Sequence, residues 1–294
     1  ADFGDSGFGK VMNTWLKLKG MSQAAKTIYN PATHVANTIG QGTILLANGI
    51  LPVGKAAKTA GVATLKKLTG QNNEQLGQYM GRLRELGIVN SNVGVGMIRK
   101  NLQSAGKNPF DYMDKVGLKR VKETGKKVNN KILDLYQAED DVFKIMHFEK
   151  TKNYLRKADP NIDEDQLDRL AAQRTRDLMP NYAQVSKLIS GMRSLPLGDF
   201  LSFPAEMIRI SKNLAKYTLK DATSGNAVLQ KEAAKKLAGM TSIGLLPGAA
   251  MEYSKQAHGI TNDEEDAINT TAPTFEAFSN RIYMSGLNTD KNNH

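Results

Sequence analysis

Two segments come close to a phosphate-binding loop. One is Gly4-Asp5-Ser6-Gly7-Phe8-Gly9-Lys10, followed by Val11; the other is Gly49-Ile50-Leu51-Pro52-Val53-Gly54-Lys55, followed by Ala56. Such a loop wraps phosphates in backbone N–H groups and needs a Ser or Thr hydroxyl after its lysine to hold magnesium. Val11 and Ala56 supply none, and no strand pattern precedes either segment, so nucleotide hydrolysis is not expected. The histidines, His34, His147, His258 and His294, are scattered, and no two stand at i, i+4. With no cysteine in the chain, a structural zinc site has no ligand set and disulfides are excluded. His147, beside Lys144 on a helical pattern, is expected at the surface or at an interface. The run Asp263-Glu264-Glu265-Asp266 lacks the spacing and central glycine of a calcium loop and is read as a solvated acidic patch. No cofactor and no metal is expected.

The carboxylates of 139–141 are more informative. Glu139 falls in helical register with Ile132, Leu135, Val142 and Met146, on the apolar face of its segment. A charge there needs a partner, because an unpaired buried charge is costly. Arg193 and Arg209 are the expected partners in a structural ion pair. The alternative role, a general acid for glycan cleavage, would call for a second carboxylate in a different environment.

The basic residues form rows. Lys115, Lys119, Lys122 and Lys126 share one helical face, with Leu118, Val121 and Val128 on another. Arg209, Lys212, Lys216 and Lys220 recur opposite an apolar stripe of Met207, Ile210, Leu214 and Tyr217. Rows of this kind suit a phosphate backbone or an acidic protein surface and carry no means of reading base sequence. Few aromatic residues lie between the lysines, so stacking on single strands is not expected. The net charge of +11 and pI of about 9.6 point the same way, to nucleic acid or an anionic membrane. From Glu252 onward acids outnumber bases, so the basic surface belongs to the earlier part of the chain.

The elements that hold these residues are helical almost throughout, and no series of alternating strands is found. The expectation is an all-α fold, a multi-helix assembly of helical hairpins. Helices are expected over 10–19, 21–30, 55–68 (ending at Gly70), 74–86 (stopped by Gly87), 115–131, 132–155 (ending before Asp159-Pro160) and 163–179, with Asp163 as cap. A turn at Leu195-Pro196-Leu197-Gly198 then leads to a helix opened by Phe203-Pro204. Glycines inside helical patterns cost about 1 kcal/mol each against alanine. With an aromatic content of only 6%, the bundle is therefore expected to be completed by oligomerisation. Three regions are expected: an N-terminal helical region over 1–110, a basic helical core over 111–258, and a polar tail or arm over 259–294.

Residues 27–54 contain no Asp, Glu, Lys or Arg. The segment is long enough to reach across a hydrocarbon layer of about 30 Å, but it is rich in Asn, Gln, Thr and Gly. It is read as a buried interhelical segment, with Ala36, Gly40 and Ala47 permitting close approach, or as a conditional membrane segment. The second uncharged stretch, 237–251, is interrupted by Pro247-Gly248 and is expected to be buried or interfacial. The chain opens on Ala1, as expected of a piece of a longer polypeptide.

Three blocks carry a resemblance. They are Tyr29-Asn30-Pro31-Ala32-Thr33-His34 with Asn37 and Gly40; Glu139-Asp140 with Lys144, Phe148 and Glu149; and Pro180-Asn181-Tyr182, Arg193, Pro196, Gly198, Phe200, Phe203-Pro204-Ala205-Glu206, Arg209 and Asn213. In this order they resemble a region of the large polyvalent proteins of short-tailed bacteriophages, which include internal virion, or ejection, proteins. The resemblance implies a structural virion protein of the internal core, near the portal or tail, that helps form a conduit for genome delivery. It implies several copies, contact with portal, tail or other internal virion proteins and with phage double-stranded DNA, and passage to the host membrane and envelope during delivery. None of the blocks is a catalytic signature, and Glu206 is read as supporting the first turn of its helix. Two other roles are open: a fragment of a muralytic or nucleic-acid-processing virion enzyme, and a packaged non-specific DNA-binding protein.

Overall fold

Local punctuation sets most helix ends. The computed structural model describes residues 31–70, 73–89, 119–181 and 198–272, with 281 and 283, and every regular element among them is an α-helix. In chain order these are α1 (Pro31–Ala47), α2 (Lys55–Thr69), α3 (Glu74–Glu85), α4 (Lys119–Ala158), α5 (Glu164–Leu178), α6 (Gly198–Ala222), α7 (Ala227–Ala257) and α8 (Asn262–Thr271). Helix α2 ends at Gly70, whose φ of 70° is the left-handed conformation that glycine adopts without steric cost. Asn73 caps α3 by accepting from the Leu76 N–H at 2.8 Å. Asp163 caps α5 by accepting from the Asp165 and Gln166 N–H groups at 3.0 and 3.1 Å.

Helix α4 is the spine. Its 40 residues span about 60 Å at 1.5 Å per residue. Helices α1, α2, α5 and α7 all pack on it, α6 packs on α5 and α7, and α7 also packs on α1. One apolar core joins Leu45 and Ile50, Ala60 and Ala63 of α2, Leu83 and Ile88, Ile145 and Phe148 of α4, and Leu167 and Ala171 of α5. Burying a large aliphatic side chain in this way contributes about 1.5–3 kcal/mol. The core crosses position 110, so the region boundary expected there does not divide it.

Several expected boundaries are revised. The segments 115–131 and 132–155 are, from Lys119 on, one continuous helix, because no breaker stands between Lys131 and Ile132. Helix α6 begins at Gly198, five residues before Phe203. Helix α7 runs through Pro247-Gly248. Proline removes only the bond to the Ile243 carbonyl, at a turn where Gly244 and Leu245 are exposed and water can take its place. Part of the expected polar tail is α8, nucleated by a capping box in which Thr261 and Glu264 bond reciprocally. The helices expected over 10–19 and 21–30, and the turn at 195–197, lie outside the described residues.

The uncharged segment ends its helix at Ala47 and turns at Asn48-Gly49. Among the described residues no helix is long and apolar enough to cross a membrane. Close approach is made by glycines other than the expected one. A Cβ on Gly40 would meet nothing within 4 Å, whereas a Cβ on Gly239 of α7 would overlap the Leu46 carbonyl oxygen. Gly49, at φ 68°, lies against the Lys235 backbone, where an added Cβ would be 2.6 Å from the carbonyl carbon. Gly49–Lys55 is thus preceded by a helix and not by a strand, and its first residue packs against α7.

Candidate functional site: the two faces of helix α6

The inward face of α6 is built from both apolar and charged residues. Ile210 and Leu214 are buried and Met207 and Tyr217 are half-buried, as the stripe requires. In the same register lie Glu206, 1% exposed, and Asp221, fully buried. Glu206 stands well past the first turn of α6, contrary to expectation. It accepts from Arg209 Nε at 2.9 Å and Nη2 at 2.6 Å and from the Asn181 N–H at 2.5 Å. Arg209 also donates to the carbonyls of Asp177 at 3.0 Å and Met179 at 3.1 Å, and Asn213 donates to Asp177 O at 3.1 Å. Carbonyls at a helix C-terminus have no intrahelical partners and carry partial negative charge, so a guanidinium there is favourable. Arg209 is therefore engaged inward as the clamp between α5 and α6 and does not belong to an outward cationic row.

Asp221 serves a second junction. It accepts from both terminal nitrogens of Arg174 on α5, at 2.7 and 2.8 Å, and from Lys236 on α7 at 2.7 Å. Arg174 lies over the Tyr217 ring at 5.0 Å and the Tyr154 ring at 5.6 Å and donates to the Tyr154 hydroxyl at 3.0 Å. The Tyr217 hydroxyl donates to Asp177 at 2.8 Å, and burial and that carboxylate push its pKa above the usual phenol range. Two turns of α4 before Tyr154, His147 is buried against Thr175 Oγ1 at 3.0 Å and Thr151 Oγ1 at 3.3 Å. Burial, with Lys236 and Arg174 nearby, pushes its pKa down to about 3, so it is a neutral interior group and not a surface one.

Glu139 has a partner other than the expected arginines. Both its carboxylate oxygens meet His34 Nδ1 of α1, at 2.7 and 2.9 Å. Arg209 is taken by Glu206, and Arg193 lies outside the described residues. The neighbouring Asp140 binds Lys144 at 2.6 Å and Gln41 at 3.0 Å, and its burial pushes its pKa above the usual carboxylate value. Asp141 accepts from Lys67 of α2 at 3.0 Å, and Glu149 from the Tyr79 hydroxyl at 2.7 Å. Residues of the first two sequence blocks thus meet between helices, His34 of α1 with Glu139 of α4; Asp140 pairs with Lys144 within α4, and within the third block Glu206 binds Arg209 and the Asn181 N–H. The signal that could have located Glu206, Asp221 and Lys236 is the one that flagged Glu139, a charged residue in register with an apolar stripe.

The outward face of α6 carries Lys212, Lys216 and Lys220, all exposed and, among the described residues, in no ion pair. Lys119, Lys122 and Lys126 lie within α4, and Lys115 lies outside the described residues. The Asp263–Asp266 run forms the first turns of α8, where negative charge complements the helix dipole, and Glu265 pairs with Lys255 at 2.5 Å. Among the described residues no group of three or more His, Asp and Glu side chains could hold a metal. A cleft of about 300 Å³ between α2 and α4 is lined by Lys55, Thr59, Glu149, Lys152, Arg156 and Glu164. Two of its cations, Lys152 and Arg156, both bind Glu164.

Compared with protein-family models, curated proteins and solved structures, the chain matches none.

Proposed function

We propose that this chain is a structural, non-enzymatic protein of the internal core of a short-tailed phage virion. Several copies stand near the portal or tail and help form the conduit through which the genome enters the host. The observation that carries this reading is the sorting of charge on α6. Glu206 and Asp221 are buried in ion pairs while Lys212, Lys216 and Lys220 are exposed and, among the described residues, in no ion pair. Cations in such a row suit a negative surface, either the phosphates of duplex DNA or an acidic face of another virion protein. The resemblance of the three blocks to ejection proteins supplies the setting. Glu206, 1% exposed and bonded to Arg209, supports a fastening role for this helix.

The test is binding of the purified chain to duplex DNA of arbitrary sequence, measured across a salt series. Sequence-independent binding that falls steeply with salt, with a slope reduced by about one per lysine in Lys216→Glu and Lys220→Glu, is the expected result. A chain that binds neither DNA nor extracts of portal and tail proteins at low salt sinks the reading.

A further inference from the structure

Between Ile208 and Lys220 the exposed face of α6 is apolar as well as cationic. Ile208 and Leu219 are 70% and 68% exposed and bracket Lys212 and Lys216, with Ser211 and Ala215 between them. No acid occurs in 208–220. A phosphate backbone would engage the lysines and leave both aliphatic side chains in water. A short helix with acids on its outer side and small apolar residues beside them would engage all four.

The chain contains such a helix. Asp263 and Asp266 of α8 are exposed one turn apart, Ala267 is exposed next to them, and Asn262–Thr271 holds no basic residue. Its ten residues extend about 15 Å, and Ile208 and Leu219, eleven residues apart, are separated by about 16.5 Å along α6. In its own chain α8 is tied elsewhere, by Lys255 to Asn262 and Glu265, each at 2.5 Å. Lys255 lies about 28 Å along α7 from Lys236, where α7 meets Asp221, whereas Lys212 lies only about 13 Å from Asp221 along α6. Among the described residues Asp263 and Asp266 are exposed and pair with neither Lys212 nor Lys216 of the same chain.

We infer that the outward face of α6 is the docking site for α8 of a second copy, with Asp263 and Asp266 against Lys212 and Lys216, and Ile208 and Leu219 covered at the two ends. The two surfaces differ, so each copy receives one neighbour and offers itself to another, an arrangement that closes into a ring or extends as a filament. The inference rests on the several-copy reading above and assigns the contact.

Sedimentation velocity of the full chain over a concentration series tests it. The unsubstituted chain is expected to assemble, more weakly at high salt. Lys212→Glu with Lys216→Glu, and separately Asp263→Lys with Asp266→Lys, should each weaken assembly at least tenfold. An equimolar mixture of the two variants should assemble again, because each reversed surface then meets its complement. Asp263→Asn with Asp266→Asn keeps the Thr261–Glu264 cap, should retain full helicity by circular dichroism, and should also weaken assembly. A chain that stays monomeric at all concentrations, α8 variants that assemble like the parent, or a mixture that fails to recover would each overturn the assignment. Binding of the unsubstituted chain to duplex DNA or to portal and tail extracts, read separately, decides the proposed function whichever of these is found.

Discussion

Helix α7 is docked by two different chemistries within one turn of its length. At Lys236 the contact is ionic: a buried ammonium shares the Asp221 carboxylate with Arg174. At Gly239 it is steric: the absence of a side chain lets α7 reach the Leu46 carbonyl and Gly49. The ionic contact selects which residues face each other, because a displaced charge would be left without a partner in a dry interior. The glycine contact selects distance, because packed backbone has no room for one more methyl group. Together they fix both the rotation and the separation of α7 against the remainder of the bundle.

Asp221→Ala would leave Arg174 and Lys236 buried without their carboxylate, and a loss of about 3–5 kcal/mol is expected in urea denaturation. An unchanged midpoint would mean that the pair is not buried in solution. On the steric side, Gly239→Ala forces α1 and α7 apart and should cost about 1–3 kcal/mol by the same measurement.

His147 sharpens the ionic half, since its environment contains two cations. With its folded-state pKa at about 3, below the ordinary 6.5, the unfolded chain binds a proton that the folded chain refuses. Stability is therefore undiminished above pH 6.5 and is lost as pH falls from there toward 3. The slope reaches about 1.4 kcal/mol per pH unit. Comparing parent and His147→Gln in denaturation series at pH 6.5, 5.5 and 4.5 isolates this contribution; parallel curves would refute it. The smallest expected effect has the opposite sign. Gly244 of α7 has open space around it, so Gly244→Ala should stabilise by about 1 kcal/mol, read as a raised melting temperature. If Gly244→Ala and Gly239→Ala behaved alike, helix propensity rather than close packing would govern both.

What the sequence disclosed follows from how far each determinant reaches. The ends of α2 at Gly70 and of α4 before Pro160, and the Asp163 cap, are written in adjacent residues and were legible. So was the division of α6 into an apolar stripe and an exposed lysine row. Partners were not legible. Glu139 was placed correctly on an inward face, but His34 is 105 residues away, and only the packing of α1 on α4 brings the two together. Arg174 and Asp221 are 47 residues apart and meet for the same kind of reason. Gly40 and Gly239 look alike as glycines in uncharged helical segments; which of them touches a neighbour depends on the packing of α1 against α7. Pro247 misled because its local cost is real but is borne at an exposed turn. The start of α8 had a capping-box pattern, Thr261-Asn262-Asp263-Glu264, that its polar surroundings masked.

One carboxylate, Asp221, belongs to α6 and is gripped from α5 and from α7 at once. Helix α6 cannot peel off without stranding Arg174 and Lys236, and α7 cannot leave without taking from Asp221 one of its two cations. Slowly exchanging backbone amides of α5, α6 and α7 should therefore open together, with one shared free energy, in native-state hydrogen exchange. A chain obliged to pass through a narrow opening would surrender these helices in one step, not turn by turn.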